Sequence, residues 1–200
     1  MPRLSGAAPP PATPQPVVER RVQIAAGLQA ALLLGRGEER GLRFAMLSME
    51  GPARSFWAAI ICLPAFVVIR LLTLELVTGP RMLAELIGFS LGWVVFPLAA
   101  LPLAEASGRG PLWPLLVAGW NWANIAQYAV LVVALILEQI LPSPLSGAVS
   151  LISFGYAVWI EWFVAKAALR ITGPRAAIFV AIDLAIGLTI ALTAARVGRG

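Results

Sequence analysis

Histidine is absent from this chain, cysteine and lysine occur once each, and only 12% of the 200 residues are charged. Each scarcity removes a class of function. Without histidine there is no His-ligated zinc or haem, no Ser-His-Asp triad and no Cys-His pair. Cys62 stands alone inside an apolar run, which excludes an intrachain disulfide and a thiolate cluster. A soluble domain of this size carries roughly a quarter charged residues. Half that density cannot clothe a surface that faces water.

What is present is apolar. Hydrophobic residues make up 60% of the chain, and the mean hydropathy is +0.85. They come in long runs that a small globular core does not need. The formal net charge is +5, from 15 basic against 10 acidic residues, and the sole lysine is Lys166. Those arginines lie beside apolar segments and not in one aromatic-interleaved patch. The basic balance therefore points to anionic lipid and not to nucleic acid. The fold expected is all-α, a polytopic transmembrane bundle with the lipid bilayer as its first partner.

Residues 1–16 hold six prolines among Ala, Ser and Thr, and read as a disordered tail without a signal-peptide pattern. Residues 17–50 read as an amphipathic or interfacial segment. Its charge-free stretch from Val22 to Gly35 falls short of the ~20 residues a span needs. Ile24, Leu28, Ala31 and Leu32 share one side of that helix, so it either lies at the interface or packs on the bundle; a sixth span is the lesser alternative. Gly35, Gly37 and Gly41 then break the chain before a second short piece, Leu42 to Met49, expected at the membrane surface.

Residues 51–200 form the transmembrane bundle, with five spans expected at about 55–77, 82–104, 113–137, 146–169 and 175–195. The third lies within 28 consecutive uncharged residues from Gly110 to Leu137. Thr78-Gly79-Pro80, Gly108-Arg109-Gly110, Leu141-Pro142-Ser143-Pro144 and Thr172-Gly173-Pro174 mark the turns. Pro97 and Pro102 should bend the second span. Ala84, Gly88 and Gly92 recur every four residues along it, a stripe that allows another helix to approach closely. Seven arginines precede the first span, and the short loops divide the basic residues eleven to four. That division favours a cytoplasmic N-terminus in a bacterial inner membrane.

Ionisable and amide side chains inside apolar segments are the candidate site residues. Ionisable groups cost ~3 kcal/mol each in hydrocarbon on insertion scales, so they face the bundle interior and pair. Asn121, Asn124, Glu161 and Asp183 all fall roughly 12–17 Å from the same boundary at 1.5 Å per residue. If spans three to five adjoin, Glu161 and Asp183 could share one proton, with an asparagine bonded to them. The span-four side of Ser146, Ser150, Ser153, Ala157 and Glu161 is small and polar, and could line a narrow pathway. The plainer reading of the same residues is helix-to-helix hydrogen bonding or a partner contact, and it is preferred. Arg70, Glu75, Arg81 and Glu85 form a second set, expected as interhelical pairs Arg70–Glu85 or Glu75–Arg81. Mid-span tryptophans read as bulky packing, and Lys166 and Arg170 as snorkelling to lipid phosphates.

No P-loop, GxSxG, HExxH or dinucleotide fingerprint occurs, and neither carboxyl lies in an aspartyl-enzyme motif. No catalytic, cofactor-binding or metal-ligating residue is expected. Two functions remain: a non-enzymatic subunit or organiser that packs against other membrane proteins or its own copies, and a small proton- or ion-coupled transporter. Three stretches, FAMLSMEGPARSFWAAIICLP (residues 44–64), VAGWNWANIAQ (117–127) and WFVAKAALRITGPRAAIFVAIDLAIG (162–187), resemble a family of small uncharacterised integral membrane proteins of Gram-negative bacteria. That resemblance implies topology: a short amphipathic segment, Glu50-Gly51 through Trp57 at the start of span one, Asn121-Trp122 in span three and Asp183 in the last. The layout is also loosely similar to the Yip1 family, in architecture alone.

Overall fold

A computed structural model describes residues 20–47, 52–73 and 78–197. The Pro-rich tail, the linker at 48–51 and Glu75 lie outside the described residues. Almost every described residue is helical, and none is in a strand. Seven α-helices follow in order: α1 (Arg20–Gly35), α2 (Gly41–Leu47), α3 (Trp57–Thr73, preceded by a 3-10 turn at Pro52–Phe56), α4 (Gly79–Ala106), α5 (Trp113–Ile140), α6 (Ser143–Leu169) and α7 (Gly173–Val197). Five are long and apolar enough to cross a membrane, taking α3 together with its leading turn. This is the architecture of a multi-pass membrane protein.

The helix ends follow the turn chemistry of the sequence. Thr78 caps α4 by accepting the Arg81 amide on Oγ1 at 3.3 Å, with Pro80 in the first turn. Prolines also open α5 and α6. Gly108, at φ 67°, supplies the left-handed residue after α4, and Arg170, at φ 53°, does so after α6. The long helices extend past the expected spans at several ends, since capping turns continue the hydrogen-bonded ladder beyond the hydrocarbon-length core.

α5 is the centre of the bundle. α6, α3, α1 and α2 pack around it, while α7 bridges α6 and α4. The densest core gathers Trp122, Leu116, Ile160, Val164, Leu169 and Phe179 toward the end that carries Arg109, Lys166, Arg170 and Arg175, here termed the basic end. Outside, Leu83, Leu98, Leu151, Ile178 and Leu188 are exposed, as a lipid-facing surface requires.

Of the two placements open to α1, the structure has it packed on the bundle. Gly27 sits against the Trp122 indole and Gly35 against Ala126, so α1 runs along α5 and not across its end. The chain turns at Gly37 (φ 75°), and α2 brings Leu42 back against Gly119. The side of α1 turned away from α5 carries Val22, Leu28 and Leu32, each exposed. The helix is thus apolar on both sides. α1 and α2 form a hairpin that enters alongside α5 and returns.

Candidate functional site

Two polar groups lie inside the bundle. The first joins α5, α6 and α7. Glu161 on α6 and Asp183 on α7 face each other within hydrogen-bonding reach. Gln127 on α5 closes the group: its Nε2 donates to Glu161 Oε1 and to the Ala157 carbonyl, both at 2.9 Å. Glu161 Oε2 is buried without a donor. Two carboxylates are both acceptors, so their contact becomes a hydrogen bond only when one of them carries a proton.

The asparagines expected beside this pair are elsewhere. Asn121 is fully buried and donates from Nδ2 to Ser55 Oγ at 2.7 Å, tying α5 to the turn before α3. Asn124 donates back to the Trp120 carbonyl one helical turn earlier. The expected four-residue cluster therefore divides. Glu161 and Asp183 meet, and each asparagine has a different partner. Gln127 is the residue sequence reasoning missed. It lies three residues past Asn124 in the same uncharged run, and the polarity that singled out the asparagines applied equally to it.

The serine face of α6 lies only partly against α5, and Ser150 on it is exposed. Ser150 donates to Glu138 near the end opposite the basic one, Ser153 is buried, and the Ala157 carbonyl is taken by Gln127. Ser146 and Ser153 donate to carbonyls of their own helix, Ser150 and Glu161 Oε1 bond to α5, and Glu161 Oε2 is left without a donor.

The second group borders a cavity of about 200 Å³ between α3, α4, α5 and α7. Arg70 Nε lies 3.1 Å from Glu85 Oε2, the interhelical pair expected from spacing. The contact is an ion pair and not an aligned hydrogen bond, because Arg70 Nε meets no acceptor in bonding geometry. The guanidinium also lies over the Phe66 ring, 5.2 Å from its centroid. Arg81 keeps a buried Nε without a partner, and its expected mate Glu75 lies outside the described residues. Asn124 lines the same cavity further along, between Trp120 and Tyr128.

Of the small-residue stripe of α4, Gly88 serves this chain itself. A Cβ at Gly88 would stand 2.8 Å from Ile190 Cγ2, so Gly88 is where α7 comes close. Gly92 opens on the cavity with nothing in reach, and Ala84 borders the neighbouring α4–α7 groove. Gly88→Leu would therefore separate α4 from α7 before it touched any external contact. The aromatics pack as bulk: Trp120 lies 4.7 Å from Phe96 and 5.9 Å from Trp93, centroid to centroid. Trp162 donates to the Gly173 carbonyl at 2.9 Å and holds the α6–α7 turn, with the Lys166 ammonium 4.9 Å over its ring.

Among the described residues no group of three or more Cys, Asp or Glu side chains could hold a metal ion. No protein-family model, curated protein or solved structure matches the chain.

Proposed function

We propose that this protein is a non-catalytic component of an inner-membrane assembly, held in the bilayer with its basic end toward the cytoplasm. One observation carries the reading. The turn between α1 and α2, with Arg36, Glu38, Glu39 and Arg40, is held beside the middles of α5 and α6. Exposed charge at that level calls for a covering other than lipid tails. The interior polar bonds support the same reading, since Asn121–Ser55, Gln127–Glu161 and Trp162–Gly173 each tie one segment to another. The eleven-to-four division of basic residues supports the orientation.

The test is extraction from native membranes with a lipid-preserving polymer, followed by affinity purification and mass measurement. A particle larger than one 21.2 kDa chain with its lipid, containing a further chain, of this or another protein, in fixed ratio, is the expected result. A single chain alone, at every expression level, would refute it.

A second reading rests on the carboxyl pair. Glu161 and Asp183, meeting across α6 and α7 with one oxygen lacking a donor, could exchange a proton or hold a cation during coupled transport. Asp183→Asn should then abolish flux in proteoliposomes while assembly and folding persist. Equal flux in the variant and the parent ends this reading.

A further inference from the structure

The depth of the α1–α2 turn can be bounded from its contacts. Gly35 packs on Ala126, and its carbonyl accepts the Tyr156 hydroxyl at 3.0 Å. Gly37 sits against the Trp159 ring. Ala126 stands midway along α5, and Tyr156 midway along α6. A helix the length of α5 measures about 42 Å at 1.5 Å per residue, whereas the hydrocarbon core is about 30 Å thick. Wherever a slab of that thickness is placed along such a helix, the helix midpoint stays about 9 Å or more inside the nearer boundary.

Arg36, Glu39 and Arg40 are exposed at this level. Arg40 and Glu38 satisfy each other as an ion pair. Among the described residues, Arg36 and Glu39 have no ion-pair partner. Arginine can reach toward headgroups along its stem, but glutamate is too short to do so from about 9 Å. Hydrocarbon cannot be what covers this turn.

We propose that a second copy of this chain covers it, in a two-fold pair in which Arg36 of each copy meets Glu39 of the other. The inference rests on the assembly reading above and names the partner. A two-fold interface presses one patch against itself, so the patch must be its own complement. The turn meets that condition: two arginines and two glutamates sum to zero, and the cation and anion left over within one chain close two ion pairs between copies. Next to the turn lies an apolar groove of about 370 Å³, bordered by Leu28, Leu32, Ile125, Ala129, Val130 and Tyr156. Beside it Trp159 is 38% exposed. A groove and a partly exposed Trp159, packed on Phe163 and Tyr156, give the apolar half of a self-complementary contact. An unrelated partner would have to supply both the matching charges and the matching shape; a second copy already has them.

The experiment uses the full chain in lipid nanodiscs. Particles should carry two copies. Arg36→Glu and Glu39→Arg should each lower the paired fraction at least tenfold, and the double variant R36E/E39R should restore it. As a check that does not depend on reversed charge, two differently tagged copies are co-expressed in a Cys62→Ala background, one with Arg36→Cys and one with Glu39→Cys. A short thiol crosslinker should join the two tags. Pairing indifferent to both reversals, or absence of the mixed crosslink, overturns the proposal. A one-to-one complex with a different protein overturns it while leaving the assembly reading intact. A lone chain whose Glu39→Cys thiol reacts fully with a membrane-impermeant maleimide ends both.

Discussion

Gly27 is the closest approach of α1 to α5, and replacing it with alanine gives a sharp test of the hairpin's seat. A Cβ there would stand 2.1 Å from Trp122 Cζ2 and 2.3 Å from Cε2 and Cη2. Carbon atoms in contact sit about 3.5 Å or more apart, so α1 would have to retreat by more than about 1 Å. The ring cannot step aside, because Trp122 is 1% exposed within the densest part of the core. Two effects oppose each other. Alanine favours helix over glycine by about 1 kcal/mol, while overpacking a fitted core costs about 1–3 kcal/mol. Here the overlap is with three atoms of a rigid ring, so the clash should prevail and the net loss should be about 1–2 kcal/mol. Reversible unfolding in mixed micelles, followed by tryptophan fluorescence, measures it. Gly155→Ala is the internal control, since a Cβ there meets nothing within 4 Å and should stabilise α6 slightly. Trp122→Phe should relieve part of the Gly27→Ala loss, giving a coupling term in a double-mutant cycle. If Gly27→Ala behaves like Gly155→Ala, α1 does not rest on Trp122 and the depth argument for the hairpin fails with it.

Gln127→Leu should cost about 1–3 kcal/mol, because it leaves Glu161 Oε1 without its donor inside the bundle. The same unfolding assay reads it, and Asn124→Leu, which removes only a bond to its own helix, should cost less. Arg70→Met should destabilise more than the double change Arg70→Met/Glu85→Leu, because the single change strands a carboxylate whose side chain is 11% exposed. Arg70 itself is one-third exposed, so the single loss should fall below the about 3–5 kcal/mol of a fully buried pair. Thermal unfolding of both variants decides the order.

The bundle was legible because span length and turn chemistry are local properties. Gly79-Pro80, Pro142 and Gly173-Pro174 mark in the sequence where helices stop and start in the structure. The Arg70–Glu85 pair was also legible, since a tight turn between two helices fixes which residues can meet. Relative depth was not. Counting along α5, α6 and α7 from one shared boundary does not separate Asn121, Asn124 and Gln127, and Ser55, from another segment, lies beside Asn121 about two turns into α5. Leu42 of α2 lies against Gly119 and Ser55 beside Asn121, so the turn before α3 sits partway along α5. Asn121 serves Ser55, and the position beside Glu161 falls to Gln127. The periodicity of α4 showed a close approach but not to what; α7, about a hundred residues later, takes it at Gly88.

The hydrogen bond from Tyr156 to Gly35 spans 121 residues of chain. α1 is made before α5 and α6, and of the helices it packs against only α2 exists until those two have been made and threaded. Its polar turn must therefore wait outside the lipid while four later helices are installed, and settle only when they are in place. A ribosome stalled after about residue 110 should leave that segment open to protease, and one released past residue 170 should not. A segment made early thus takes its seat only after helices made much later.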